Sequence, residues 1–299
     1  MNAAEPITTQ ITQIEPRQRI NALGHVSSKA IQGKSGNGRD RTNSHSVLDK
    51  LYQQGSARIR FPNTGPGALH AVLLNTAGGL TGNDRIEWTA DAGQQSHLCI
   101  STAACEKIYR THGPAALQHT TLRVASKARL EWLPQESILF NGSRLNRSMD
   151  IYLEDDAQAL IVESLILGRQ AMQEEINRIC VRDRWRIYCN ERLLHAEDLY
   201  LDMHDLQSAR TQCKLHQYSA ISTLVLVRNE SDEWYESILS RVRAYLPEHS
   251  TTIAVGASRL PSRLVVRALA RDSFQLRKFL IPCIEILNDG RRIPIVWNV

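Results

Sequence analysis

From residue 47 to about residue 228 the chain alternates apolar and polar residues in short runs, each closed by a turn signal. Ile86, Trp88 and Ala90 alternate with Arg85, Glu87 and Thr89, and Asp91-Ala92-Gly93 ends the run. Leu98, Ile100 and Thr102 alternate with His97, Cys99 and Ser101; Met149, Ile151 and Leu153 alternate with Asp150 and Tyr152. A period of two is the mark of a half-buried strand. Residues 68–74 and 222–227 are apolar runs of strand length. Residues 159–167 are almost wholly apolar and predict a central strand covered on both faces. Residues 185–189 and 192–195 read as a hairpin around Asn190-Glu191. Strands at this spacing without intervening helical patterns predict a mainly β body and argue against a doubly wound α/β sheet.

The period changes near the C-terminus. Trp234, Ile238, Leu239, Val242 and Leu246 have helical spacing over 232–246, with Ser231 or Asp232 placed to cap it. Strands are predicted over 251–255 and 263–269. A second helix is predicted over 272–287, with Phe274, Phe279, Cys283, Ile284 and Leu287 as its apolar stripe. Pro282 is expected to kink or end it, because proline lacks the N–H and crowds the preceding turn. At the other end, residues 27–46 are rich in Ser, Gly, Asn and charge, which predicts a poorly ordered arm over 1–46 and ordered structure from Val47. No internal sequence repeat is visible beyond the rhythm of strands.

Charge and cysteine usage narrow the function classes. The net charge of +5 is spread along 299 residues without a basic block, so a nucleic-acid face is not expected. No run of 18 apolar residues predicts a spanning helix, and residues 1–24 lack the apolar stretch of a secretion signal, which places the chain in the cytoplasm. Six cysteines occur without a C-x-x-C pair, a pattern of free thiols in a reducing compartment.

Motifs for chemistry are sparse. Asn75 to Asp84 reads NTAGGLTGND, but no Lys follows as a P-loop needs, and a strand rather than a helix comes next. A tight turn is the simpler reading, with Asp84 as its polar group. G-x-S-x-G and H-E-x-x-H are absent. Glu163 stands out in LIVESLILG, because a carboxylate in a buried strand must be paired, protonated or facing a wet cavity. Arg169 is one candidate partner. Glu197 and Asp198 raise the same question, while Glu131 and Glu136 read as rim charges flanking a turn. The residues alone favour a binding or assembly role. The alternatives are a β-rich enzyme of hydrolase type, with a site near Asp84 and Glu131, and a protein-binding module.

Four stretches together carry a resemblance: LLNTAGGLTGNDRIEW at 73–88, EKIYR at 106–110, LEWLPQESILFNGS at 130–143 and ESLILGR at 163–169, with IPIVW at 293–297 as a variant ending. They resemble the UreD (UreH) family of urease accessory proteins, in order from about Leu51 onward. Departures include Thr76-Ala77 in place of a pair of prolines, Ala103-Ala104-Cys105 in place of a Pro-Gly type turn, and Pro282 in a helix that usually carries a Trp. The resemblance implies an elongated two-layer β body over 47–299 with two C-terminal helices. It implies a non-enzymatic metallochaperone scaffold with no tightly bound cofactor, passing Ni2+ in transit to apo-urease. The implied partners are the apo-urease subunits, the helical accessory protein UreF, and the GTPase UreG through UreF. Neither nucleic acid nor membrane is implied, and a binding module unrelated to nickel is disfavoured. An internal nickel route calls for oxygen ligands that hold the ion weakly. Asp84, Glu163 and Glu197 are the expected passage-lining groups, with Glu106 and Glu131 behind them. Exposed faces of the C-terminal helices, with Trp234, Phe274 and Phe279, are the expected partner surface.

Overall fold

The computed structural model describes residues 19–32, 44–65, 67–169, 172, 174, 176–203, 217–245 and 250–297. Numbered along the chain, β1 (Asn21–Gln32), β2 (Ser44–Gln54), β5 (Arg85–Ala92), β8 (Ala116–Val124), β11 (Arg144–Leu153), β13 (Ile179–Cys189) and β14 (Arg192–Met203) form one sheet, in the order β14-β13-β11-β8-β5-β1-β2. The second sheet contains β3 (Ala57–Arg60), β4 (Leu69–Asn75), β6 (His97–Thr102), β9 (Arg129–Leu133), β12 (Gln158–Leu167), β15 (Ala220–Val227), β16 (Ile253–Leu260) and β17 (Arg263–Ala270). Its order is β16-β17-β15-β12-β9-β6-β4-β3, and β10 (Ser137–Leu139) joins β12 to β7 (Glu106–Ile108). Helices α1 (Asp232–Ala244) and α2 (Ser273–Leu287) pack on the outer face of the second sheet. The mainly β body with two late helices is what the alternation and the late helical spacing predict, and its two layers are what the resemblance implies.

The chain crosses between the sheets, laying a strand in one and then in the other, so the central neighbours within each sheet are parallel. In the first sheet Arg85 pairs with Leu117, and Leu117 with Asn146. In the second, Leu98 pairs with Leu130, and Leu130 with Ala159. The two sheets thus advance through the sequence in matching steps. The chain repeats in space although no repeat is visible in sequence. The unit recurs in backbone pairing, which asks only for alternation and not for the same side chains.

β12 shows how the layers are filled. Ala159, Ile161, Leu165 and Leu167 enter the core between the sheets, while Leu160, Val162 and Ile166 enter the core under the helices. A strand buried on both faces is what its continuous apolar run predicts. The hairpin expected at Asn190-Glu191 is also present, with positive φ of 46° and 63° at the two turn residues. Positive φ at both central positions is the turn that matches the twist of the flanking strands.

Two expectations are corrected. Residues 1–46 are not an arm throughout: Asn21–Gln32 form β1, parallel to β5 and antiparallel to β2. The inward residues of β1 are small (Ala22, Gly24, Val26), so the apolar signal is weak. Gly24 is required there because Trp88 lies across it, and a Cβ would come within 2.2 Å of the indole. Residues 1–18 and 33–43 lie outside the described residues.

The second correction concerns one of the two outcomes expected at Pro282: it does not end α2, which continues to Leu287, the bound the spacing predicts. Proline removes the N–H that would bond the Lys278 carbonyl one turn back. The Tyr245 hydroxyl, just beyond α1, donates to that carbonyl at 3.1 Å. Replacing Tyr245 with Phe leaves the carbonyl without this donor, and we expect a loss of about 1 kcal/mol in urea unfolding.

Candidate functional site

Among the described residues, one row of charged groups crosses the largely apolar space between the sheets. In the first sheet Gln118, Arg147 and Asp183 are register neighbours on β8, β11 and β13. In the second, Glu163, Thr223 and Arg267 are register neighbours on β12, β15 and β17. Arg147 spans the gap. Its Nε and Nη2 donate to the two carboxylate oxygens of Asp183 at 2.9 and 2.6 Å, and its Nη1 bonds Glu163. Trp132 Nε1 donates to the other oxygen of Glu163 at 2.8 Å. Trp185 Nε1 donates to Asp183 at 3.1 Å. Arg147 is 2% and Glu163 5% exposed. Burial pushes the Glu163 carboxyl up, Arg147 opposes this, and Asp183 adds to it.

On one side this row opens on a cavity of about 200 Å³, lined by Glu163, Gln118, Trp132, Cys105, Glu106 and Asn75 among others. Glu106 projects from β7 and accepts from Asn75 Nδ2 at 3.1 Å. Burial pushes its carboxyl up to about 7, against the Asn75 hydrogen bond and the Lys107 backbone. On the other side the row ends at the sheet edge. There Glu197 bonds Arg267, and His195 Nε2 lies 3.0 Å from Glu197. Burial raises the Glu197 carboxyl, but His195 and Arg267 outweigh it and hold the group below its usual value.

Glu106 makes stability depend on pH. The unfolded chain releases this proton near the ordinary 4.5, the folded chain near 7. The folded state therefore binds the extra proton between these values, and stability falls as pH rises through that window. Glu106→Gln removes the fall. We expect the variant to exceed the wild type by about 3 kcal/mol at pH 8 and to match it at pH 4, read from urea unfolding at both.

The structure brings Glu106 and Glu163 onto one cavity and places Glu197 at the sheet edge, bonded to Arg267 of the row but, on its own strand, paired in register with Trp185. It places the other two candidates elsewhere. Asp84 closes the glycine-rich turn, accepting from the backbone N–H of Thr81 at 2.8 Å and of Ile20 at 2.9 Å. Glu131 pairs in register with Cys99 and Leu160, on the helix side of the second sheet. His97 Nε2 lies 2.7 Å away and Arg129 Nε donates at 2.9 Å. Burial opposes its ionisation, yet His97 and Arg129 draw its carboxyl down to about 2. Asp84 and Glu131 therefore do not share a hydrolytic site.

Nor are Glu131 and Glu136 rim charges: both are buried, and Glu136 is held by Arg277 of α2 at 2.7 Å. Arg169 pairs with Glu174 rather than Glu163. Among the expected partner-surface residues, Phe279 is core, Trp234 is half-buried under Arg228, and Phe274 is 70% exposed, off the buried stripe of α2. Arg147, Asp183 and Gln118 escaped the sequence reading. Their signal is phase: Arg147 falls in step with Leu145, Met149 and Ile151, and Asp183 with Val181, Trp185 and Ile187, each a charge on an apolar face.

Among the described residues no three His, Cys, Asp or Glu side chains converge as a ready cation site. No helix is long and apolar enough to cross a membrane. Comparison with known proteins decides the family. The model for "UreD urease accessory protein" matches residues 36–298. The chain belongs to the UreD family. A UreD urease accessory protein of Rhizobium leguminosarum bv. viciae is 40% identical over 293 residues, 98% of this chain and 100% of the relative. Those of Chelativorans sp. (strain BNC1) and Agrobacterium fabrum are each 38% identical, over 95% of this chain and 96% and 93% of theirs. Membership in the UreD family makes this an accessory protein of urease. The family match spans the turn of Asp84, every strand but β1 and both helices.

Proposed function

We propose that this chain is a non-enzymatic scaffold for nickel insertion into apo-urease and that nickel crosses it between the two sheets. The observation that carries the reading is the set of Glu106, Glu163 and Glu197 through a largely apolar core, beginning at a cavity, with Asp183 holding Arg147 beside Glu163. Buried carboxylates are costly to keep, and stability alone is served as well by apolar residues. Spaced carboxylates suit a hard or borderline divalent ion in transit, since each offers too few ligands to retain it. The ion is cargo and belongs to no resident site. Urease subunits receive it. The helical accessory protein UreF and, through it, the GTPase UreG supply it; this division of labour fits a chain without a P-loop. The cytoplasm is the compartment such a complex requires.

The test replaces Glu106 with Gln, which keeps the size and the bond to Asn75 but removes the charge. Urease subunits and the other accessory proteins are co-expressed with either form, and nickel per urease active site is counted over time. We expect loading to slow about tenfold with the variant at full abundance. Wild-type loading by a normally folded variant would remove Glu106 from the route.

A further inference from the structure

Ahead of the Arg267–Glu197 pair at the sheet edge, one guanidinium interrupts the buried part of the row. It stands between Glu163 and Asp183, where a cation in transit meets a fixed positive charge. Arg147 is not held equally on its two sides. Two of its N–H groups form a fork on Asp183, at 2.9 and 2.6 Å, within its own sheet. Only Nη1 reaches across to Glu163. The same Nη1 lies 3.3 Å from Ser137 Oγ, and Ser137 lines the cavity. The next residue in register on the cavity side is Gln118, whose Oε1 is buried and without a hydrogen-bond partner among the described residues. An unpaired buried acceptor is unusual in a folded protein. Here it lies next to a donor that is engaged elsewhere.

We propose that Arg147 is the gate of the nickel passage: held on Asp183, it shifts its Nη1 hydrogen bond from Glu163 to Gln118 Oε1 when a divalent cation takes the Glu163 carboxylate. This rests on the passage reading above. With the gate closed, two carboxylates share one guanidinium. With a divalent ion on Glu163, repulsion drives the guanidinium away and Asp183 keeps it paired. Gln118 then accepts the freed N–H, so no donor is orphaned in the core. When the ion moves on, Nη1 returns to Glu163. A monovalent ion brings no more charge to Glu163 than the guanidinium it must displace, so the gate favours divalent cargo.

The experiment is nickel loading of co-expressed urease, followed over time with full-length Gln118→Met, Gln118→Glu and Glu106→Gln chains. Methionine keeps the bulk but accepts no hydrogen bond of consequence, so the open gate loses its acceptor. We expect loading about tenfold slower, the worth of one hydrogen bond to a charged group, with a thermal midpoint at or above wild type. Glutamate is a stronger acceptor for guanidinium and restores loading to at least the wild-type rate. If both Gln118 variants load at the wild-type rate while Glu106→Gln is slow, the gate is wrong and the passage stands. If all three load at the wild-type rate, the passage falls and the gate with it.

Discussion

Replacing Arg147 with methionine is expected to lower the unfolding free energy by about 3–5 kcal/mol, the cost of leaving buried charge without its counter-ion. Methionine fills a similar volume and keeps the β11 backbone paired with β8 and β13, so the change isolates the charge. Glu163 and Asp183 then face each other across the sheets with only Trp132, Trp185 and ordinary dipoles to hold them. Urea unfolding at pH 7 reads the loss. Adding Glu163→Leu and Asp183→Leu to the same chain should recover most of it, because an apolar triad of similar volume needs no counter-ion. A single variant with wild-type stability would mean that water reaches the triad and screens it.

Trp297→Ala is expected to cost about 3–5 kcal/mol by the same measurement, as large-to-small changes of a buried aromatic do. Trp297 is 1% exposed, and its Nε1 donates to the Leu133 carbonyl at 2.9 Å. The Arg277 guanidinium lies 5.7 Å from the ring centre, and Gln135 Nε2 donates to the neighbouring Val296 carbonyl at 2.9 Å. The indole thus pins the end of the chain onto the turn that carries Gln135 and Glu136. Ile295→Ala, close by in sequence but 73% exposed, is the control and should stay within about 0.5 kcal/mol of wild type.

Most of the strands are legible in the sequence because alternation is a local property of the chain. Both helices are legible from spacing, and Ser231 is one of the two caps expected for the first; the structure adds Asp272 as the cap of the second. What escapes depends on partners far along the chain. β1 is hidden because its inward residues are small, and Trp88 from β5 completes the core there. Helix α2 survives its proline through a hydroxyl from beyond the preceding helix. Parallel pairing between strands of successive crossings leaves no mark in the composition of any one strand. At the site, Glu163 is conspicuous because its run is otherwise apolar. Its true counter-ion is Arg147, upstream on the opposite sheet, and not the nearer Arg169. Asp84 reads as the polar group of a turn and serves one, whereas Glu131, which reads as a rim charge, is buried in the helix layer. Whether a carboxylate in a strand is buried, and in which layer, depends on the phase of every neighbouring strand.

The regular advance of the parallel partners also bears on how the chain is made. Each strand from β8 to β12 that joins a parallel pair finds its partner in the coil synthesised just before it, so assembly can follow translation coil by coil. β1 is the exception: its parallel partner is β5, which emerges only after β2, β3 and β4. Until the following coil arrives, the last strand laid down presents a bare row of N–H and C=O groups. A ribosome that stalls between β8 and β11 therefore leaves a sticky edge rather than a smaller stable protein, and nascent chains of this kind depend on uninterrupted elongation.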